Sequence, residues 1–228
     1  MPDIIRDVHS AGFWDNLKPG DTVKFGLFRQ EILKVKTPLE WLALDVTDSH
    51  ETASGGREAL LLSCKVLFFR RFHVGGSTNW AISELREILN GNFASMAFSA
   101  AELEMIAVSH LHDEACPGYV SHAGEVCQWP EGRQFCPDTE DRVFCLSIAE
   151  VKKYFPAKED RLCGATPWAL RGDNLPHKKT APYFWWWLRS PTDADLLAAS
   201  VGYEGDICRG NYVGNSCGVR PALRIKET

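Results

Sequence analysis

The sequence predicts a mixed α+β fold, and three features of the chain lead to this prediction. Segments with β-type alternation lie toward both ends of the chain, and segments with helical spacing lie between them. Of the 228 residues, 45% are hydrophobic and 24% are charged, which is typical of a globular domain. The eight Trp and twelve Phe residues supply enough apolar surface for a sizeable core. We therefore expect a folded α+β domain and not a disordered chain.

The N-terminal part of the chain predicts a meander of antiparallel strands. Residues 1–19 look like a leader, and residues 20–228 are expected to form a single domain. Apolar and polar residues alternate over 22–26 and 39–46, as expected for strands with one buried face. Residues 59–63 form a short apolar run that predicts a buried strand.

The middle of the chain predicts helices. Apolar residues recur at helical spacing over 82–89, and Gly91 marks the expected end of that helix. Two Ser-x-x-Glu capping boxes, at 99–102 and 147–150, each open a further short helix. Between these boxes, residues 110–141 are rich in Cys, Gly, Pro and His, and they predict an irregular insertion.

The last third of the chain returns to strands, expected over residues 184–189, 198–203 and 219–225. Three consecutive Trp residues, 185–187, cannot all remain in water at low cost, so one face of their strand must enter the core. Arg189 shares a face with two of them, and it either fixes the strand from inside the core or borders a binding surface. We expect residues 185–228 to close the core.

Charge and hydropathy exclude several classes of function. A formal net charge of −5 argues against a general nucleic-acid binder, which needs a basic face. No apolar run approaches the roughly 20 residues that a membrane-spanning helix requires. The N-terminus lacks the layout of a signal peptide, which predicts a cytoplasmic protein with reduced thiols unless export uses another route.

Several short motifs follow one another in a fixed order: Thr78-Asn79-Trp80, residues 83–90, Ala97-Phe98-Ser99, residues 141–147, residues 186–191 and residues 218–223. In this order they resemble a bacterial domain family of uncharacterised function with a Trp-Trp-Leu-Arg-Ser-Pro and Gly-Val-Arg-Pro-Ala-Leu signature. The C-terminal half is also similar to the formylglycine-generating-enzyme branch of the C-type-lectin-like fold. The resemblance spans about residues 20–225. It implies a small twisted antiparallel sheet with two main helices and long loops.

This resemblance implies a binding surface just before the closing strand, where C-type-lectin-like domains present ligand-binding residues. The corresponding residues here are Tyr203, Glu204, Asp206, Arg209, Asn211, Tyr212, Asn215 and Ser216, with Trp186 and Arg189 beside them. Tyr, Asn, Ser and Gly suit adaptable binding surfaces, although the same residues also satisfy ordinary turns. We therefore predict a non-enzymatic recognition module, without a cofactor, for an unidentified protein or small molecule. The resemblance also suggests a target protein of a diversity-generating retroelement, whose C-terminal segment would be variable.

An enzymatic alternative also follows from the resemblance. Some relatives of this fold use paired cysteines near the closing strand for oxidative chemistry, and Cys208 and Cys217 lie in that neighbourhood. Two loop thiols or one disulfide are favoured over a catalytic pair, because Arg209 is the one obvious cation nearby in the sequence. The alternative function is thus a formylglycine-generating-enzyme-like oxidoreductase.

The metal-binding hypotheses have weaker sequence signals. The insertion contains His110, His112, Cys116, His122, Cys127 and Cys136. These residue types suit zinc, but none of them form the short Cys-x-x-Cys spacing of a zinc site, so a disulfide or free thiols also fit. Calcium would need convergent oxygen ligands, and the spacing of Asp193, Asp195, Glu204 and Asp206 matches no calcium loop. We therefore expect no bound metal.

Overall fold

The computed structural model describes residues 5–32, 35–48, 56–112, 119–120, 126–127, 136–171, 182–192, 194 and 196–227. For residues 119–120, 126–127 and 209–210 it describes the backbone alone. Over these residues several β-sheets are combined with a few short helices. This arrangement confirms the mixed α+β class expected from the sequence.

The strands in chain order are β1 (Ile5–Asp7), β2 (Thr22–Phe28), β3 (Thr37–Thr47), β4 (Glu58–Ser63), β5 (Phe68–Arg70), β6 (Ile106–Ala107), β7 (Ser109–Leu111), β8 (Tyr119–Val120), β9 (Val126–Cys127), β10 (Thr139–Asp141), β11 (Val143–Phe144), β12 (Trp186–Trp187), β13 (Leu197–Val201), β14 (Ile207–Tyr212), β15 (Cys217–Val219) and β16 (Ala222–Lys226). The α-helices are α1 (Phe13–Asn16), α2 (Glu84–Ile88), α3 (Ala94–Ala97), α4 (Ala100–Met105) and α5 (Ile148–Tyr154). Short 3₁₀ turns cover Trp80–Ile82, Glu159–Arg161 and Ala169–Arg171.

The larger sheet joins the N-terminal strands to the last strand of the chain. Its order is β1-β2-β3-β4-β16-β11, and β6 also pairs with β16. Strands β2, β3 and β4 form the antiparallel meander expected from their patterns. Leu61 of β4 lies opposite Ala43 of β3 on one side and Leu223 of β16 on the other, and all three side chains are buried. The C-terminal strand therefore completes the core that the N-terminal meander begins.

The smaller sheet is built around the Trp-rich strand, in the order β14-β13-β12-β15-β5. Trp186 of β12 lies opposite Val201 of the antiparallel strand β13 and beside Gly218 of the parallel strand β15. The strand expected over 184–189 is shorter than predicted. The strand ends early because the Arg189 N–H donates to the Leu146 carbonyl, outside the sheet, at 3.0 Å.

The closing strand expected over 219–225 is divided between the two sheets. Strand β15 belongs to the smaller sheet and strand β16 belongs to the larger one. Pro221 lies in the link and has no N–H to donate to a strand ladder, but its carbonyl accepts from the Ser63 N–H at 2.8 Å. The closing segment therefore connects the two sheets.

The helix expected to end at Gly91 continues to Ala97, so this predicted boundary was wrong. A π-type turn, Leu89–Phe93, carries the helical path from α2 to α3. Both end residues of the turn are buried in the core. Their burial outweighs the cost of about 1 kcal/mol that Gly adds to a helix relative to Ala.

Both predicted capping boxes are confirmed. The Ser99 hydroxyl accepts from the Glu102 N–H, and the Glu102 carboxylate accepts from the Ser99 N–H. Ser147 and Glu150 exchange the same two bonds at the start of α5. Each box satisfies two N–H groups that the helix leaves unpaired, and so defines where that helix begins. Over the residues given above, the helices are all too short to cross a membrane.

The segment expected as a leader contributes to the larger sheet. Strand β1 pairs in parallel with β2, and Val8, Phe13 and Leu17 are buried in the common core. At the base of the expected insertion, β7 pairs antiparallel with β10. This pairing brings the two chain ends of the insertion together beside the core.

Candidate functional site

Two residues that we expected to border a binding surface, Trp186 and Arg189, lie in the interior. Trp186 is fully buried, and its indole N–H donates to the Arg161 carbonyl at 3.1 Å. The Arg189 side chain is 4% exposed and donates to the Cys145 carbonyl at 2.9 Å. A partner cannot reach either side chain, so both belong to the architecture and not to a surface.

Arg189 also forms an ion pair with Glu150, the capping-box residue of α5. Burial raises the pKa of Glu150, but Arg189 and the hydrogen bonds with Ser147 lower this pKa by a larger amount. The pKa of Glu150 therefore lies below its usual range. The ion pair therefore joins the end of the Trp-rich segment to the start of α5.

The remaining predicted residues lie along the hairpin formed by β13 and β14, and the structure divides them between its two ends. The turn end, residues 202–206, carries Tyr203, Glu204 and Asp206. The open end, residue 196 with residues 211–216, carries Asn211, Tyr212, Asn215 and Ser216. Arg209 lies in β14 between them, and its side chain is outside the described atoms. At about 3.3 Å per strand residue, β14 separates the two ends by roughly 17 Å. A small ligand therefore cannot contact both.

At the turn end, Tyr203 and Asp206 contact the rest of the fold, and Glu204 is exposed. The Gly205 carbonyl accepts from the Arg161 guanidinium at 3.2 Å, and Asp206 forms an ion pair with Lys158. The Tyr203 ring meets the Trp185 ring edge-on, with ring centroids 5.3 Å apart. These contacts stabilise the turn, and they occupy groups that a ligand would otherwise use.

At the open end, three segments of backbone meet around the buried Val213. The Val213 N–H donates to the Leu196 carbonyl at 3.0 Å. The Val213 carbonyl accepts from the backbone N–H groups of Phe72 at 2.9 Å and His73 at 3.1 Å. Hydrogen bonds from both neighbouring segments therefore fix the backbone at this end.

Large apolar side chains are exposed at the open end: Val74 is 55% exposed, Leu196 is 52% exposed and Tyr212 is 45% exposed. Leu196 lies over Gly76, because a Cβ atom placed on that glycine would be 2.9 Å from Leu196 Cδ2. We call the group Val74, Leu196, Tyr212, Asn215 and Ser216 the open-end surface. Exposed apolar side chains grouped on a fixed backbone are typical of a recognition surface.

Two polar atoms near this surface have unused hydrogen-bonding capacity. Ser216 Oγ and His73 Nδ1 are buried, and neither has a hydrogen-bond partner in the part of the chain that the structure describes. The loop that carries Leu196 is held from inside by Thr192, whose buried hydroxyl contacts the Leu197 carbonyl and donates to the Ala194 carbonyl at 2.9 Å. The open end thus combines exposed apolar groups, two buried polar atoms beneath them and a supported loop.

Sequence reasoning missed Val74 and Leu196. They are far apart in the chain, and the backbone of Val213 brings their segments together. One local signal was available for Val74, because Gly75-Gly76 directly follows it and marks a loop with an apolar residue at its start.

The cysteines of the enzymatic alternative, Cys208 and Cys217, are both buried. Burial raises the pKa of Cys217 well above its usual value. Cys208 Sγ lies 3.7 Å from the hydroxyl oxygen of Ser200, inside the smaller sheet. A reactive thiol requires an accessible and electropositive setting, and neither of these thiols is accessible.

The metal hypotheses concern the base of the insertion. His110 Nδ1 lies 3.3 Å from Glu140, and His112 Nδ1 lies 2.8 Å from Asp138, with all four side chains exposed. Candidate ligands outside the described atoms are Cys116, His122, the side chain of Cys127, Asp193 and Asp195. Among the side chains that are described, no three His, Cys, Asp or Glu residues are arranged to hold a metal ion.

A concave pocket of about 500 Å³ lies between α2 and β10. The buried carboxylate of Asp141 lines it and accepts from the Trp80 indole at 2.9 Å and from Thr139 at 2.8 Å. It also accepts from Arg86 at 2.7 Å and from Asn90 at 3.0 Å. Both carboxylate oxygens of Asp141 therefore already accept hydrogen bonds from other side chains of the protein, which indicates a structural network.

Comparison with known proteins identifies a family whose model matches most of the chain. The model of a family described as a domain of unknown function (DUF6273) matches residues 57–227, which include the open-end surface. Neither the curated proteins nor the solved structures provide a match to the chain.

Proposed function

This chain belongs to the DUF6273 family, and we propose that it is a non-enzymatic recognition module that binds its ligand at the open-end surface. The observation that carries this proposal is the exposure of Val74, Leu196 and Tyr212 on segments whose backbones are hydrogen-bonded around Val213. Covering such side chains removes apolar area from water. A fixed backbone also lowers the entropy cost of binding.

The chemistry of the open-end surface favours a ligand with an apolar or aromatic group beside hydrogen-bonding groups. Leu196 and the Tyr212 ring supply apolar contact area. The exposed Asn215 amide supplies donors and an acceptor beside that area. A protein loop and a small molecule can both present this combination, and the ligand of this module belongs to one of these classes.

At the level of the fold, the proposal includes a C-type-lectin-like arrangement. Its support is the position of the open-end surface, which directly precedes β15 as ligand-binding loops precede the closing strand in that fold. Diversification by a retroelement would then change the side chains of residues 211–216. Sequencing the DNA beside the gene tests this part, because a diversified segment requires a nearby template repeat. If that DNA contains no repeat of this segment, the retroelement hypothesis is removed.

The binding test compares three proteins on the same glycan array and immobilised peptide library. These are the wild type, the double variant Leu196→Ser/Tyr212→Ser, and the control Tyr183→Ser. Tyr183 is 40% exposed and precedes β12, outside the open-end surface. We expect the double variant to bind at least about tenfold more weakly than the wild type, because it loses two central apolar contacts. The control should match the wild type. Equal binding by all three proteins would show that the surface is assigned wrongly.

The oxidoreductase alternative is tested by thiol labelling of the native protein. We expect Cys208 and Cys217 to react with a maleimide far more slowly than the partly exposed Cys136, because burial withholds both access and ionisation. Mass spectrometry of the digested protein measures each rate. Fast labelling of Cys208 and Cys217 would favour the oxidoreductase alternative and contradict the proposal of a non-enzymatic recognition module.

A further inference from the structure

A second pair of cysteines, Cys64 and Cys163, lies at a junction between the two sheets. Val66 pairs in parallel with Ala165, through the Val66 N–H to the Gly164 carbonyl at 2.9 Å. Cys64 lies two residues before Val66, and Cys163 lies two residues before Ala165. Cys163 Sγ is 3.6 Å from the Cys64 carbonyl oxygen, and both cysteines are free thiols.

The two residues are close enough for the sulfur of Cys163 to contact the backbone of Cys64. A disulfide joins residues whose Cα atoms lie roughly 4.4–6.8 Å apart. Cys64 is partly exposed, whereas Cys163 is 3% exposed. An oxidant from solution therefore reaches Cys64 first, and Cys163 is the thiol that reacts second.

A buried cation accompanies the two thiols. Arg220 is 4% exposed, and its Nε donates to the Ser63 carbonyl at 2.8 Å. Its guanidinium carbon lies 5.1 Å from the centre of the Trp186 ring. The terminal nitrogen Nη1 is buried, and it has no hydrogen-bond partner within the described residues. An unpaired buried donor with a positive charge favours an anionic neighbour.

The charges around the pair set how readily it ionises. Burial raises the pKa of Cys64 to about 11, Arg220 and Lys65 oppose this shift, and Glu40 and Cys163 add to it. Burial also raises the pKa of Cys163, and Arg220 is the largest opposing influence there as well. Thiolate is therefore a minor species at neutral pH, and its amount rises about tenfold per pH unit toward pH 11.

We propose that Cys64 and Cys163 are a modification site at which hydrogen peroxide drives the formation of an intramolecular disulfide, with Arg220 stabilising the anionic sulfur. The Cys64 thiolate attacks one peroxide oxygen, the O–O bond breaks, and the leaving hydroxide takes up the thiol proton to give water. Cys163 then attacks the sulfenic acid at Cys64, which forms the S–S bond and releases a second water. Two electrons pass from the thiols to the peroxide. The bond ties the β4–β5 connection to the segment before β12.

The test treats the folded wild-type protein with hydrogen peroxide at pH 7 and pH 9, blocks the remaining thiols and maps disulfides by mass spectrometry. We expect one peptide pair that joins Cys64 to Cys163 with the loss of two hydrogens, formed at least about tenfold faster at pH 9. A linkage of Cys64 to any other cysteine would overturn the proposal. So would intact thiols, or oxidation of Cys64 that never proceeds to the disulfide.

Variants separate the roles of the three residues. Cys163→Ser should leave Cys64 as a sulfenic acid that dimedone traps, and Cys136→Ser is the control that should keep the wild-type linkage. Arg220→Met should slow the first step, whereas Arg220→Lys, which retains the charge, should restore part of the rate. If Arg220→Met and Arg220→Lys both react at the wild-type rate, Arg220 does not have this role. Should the Arg220 variants fail to fold, the wild-type linkage still decides the proposal.

Discussion

The two ends of the β13–β14 hairpin have similar residue types and different surroundings. At the turn end, Tyr203 contacts Trp185 and Asp206 pairs with Lys158. At the open end, Tyr212 and Asn215 remain exposed. The difference arises because the 3₁₀ turn at Glu159–Arg161 and the residue before it pack against the turn end. Tyr, Asn, Asp and Gly in a loop therefore indicate a candidate surface, but the neighbouring elements decide which part of it a ligand can reach.

The largest expected effect is at the turn end, where Gly205→Ala should prevent the turn from packing. Gly205 has φ of 80°, and an added Cβ would overlap the Lys158 carbonyl oxygen. Backbone strain and overpacking together should lower the free energy of unfolding by about 4 kcal/mol. Urea denaturation measures this loss. A loss below about 1 kcal/mol would show that the turn end is as adaptable as the open end.

Arg189→Met should have the next largest effect, because it breaks a buried ion pair in the interior. We expect a loss of about 3 kcal/mol at pH 7, since Glu150 stays charged without its cation. Urea denaturation at pH 7 measures it. If Arg189 bordered a ligand surface instead, the substitution would change binding and leave stability nearly unchanged.

The same ion pair predicts how stability depends on pH. The pKa of Glu150 is lower in the folded protein than its usual value, so its contribution is complete above the unfolded pKa of about 4.3. The contribution is lost as the pH falls through the folded pKa. The difference in stability between the wild type and Arg189→Met should therefore shrink below about pH 4. Denaturation curves at a series of pH values measure this, and parallel curves would contradict it.

Gly214→Ala is the open-end counterpart of Gly205→Ala and should cost much less. An added Cβ would lie 2.6 Å from Cε1 of the Tyr212 ring, which is exposed and can rotate away. We expect a stability loss below about 1 kcal/mol. Because the ring must move, ligand binding should weaken even though the fold is retained. Unchanged binding would indicate that the Tyr212 position is not part of the recognition surface.

The smallest effect on stability is expected for Tyr212→Ser. The side chain is 45% exposed, so its removal should change the free energy of unfolding by no more than about 0.5 kcal/mol. Thermal unfolding of the wild type and the variant measures the change. A loss above about 2 kcal/mol would mean that Tyr212 supports the fold in the way that Tyr203 does.

Local patterns in the sequence were sufficient for some elements and not for others. The β2–β4 meander and the two capping boxes depend on neighbours in the chain, and alternation or spacing reveals them. The helix boundary at Gly91 could not be predicted, because the burial of Leu89 and Phe93 outweighs the local preference of glycine. The early end of the Trp-rich strand depends on the Leu146 carbonyl, which lies far from Arg189 in the chain.

The sequence by itself determined the mixed α+β class, since this class follows from local hydrophobic patterning. Strand β14, Ile207–Tyr212, was not among the predicted strands, so the hairpin that carries the candidate site emerged only from the structure. Tertiary structure alone decided that Trp186 and Arg189 are interior residues, and that the segments carrying Val74 and Leu196 meet at the backbone of Val213. The physical reason is that burial and contact depend on segments from distant parts of the chain. A sequence pattern indicates which residues can bind a ligand, whereas packing determines which of them remain exposed.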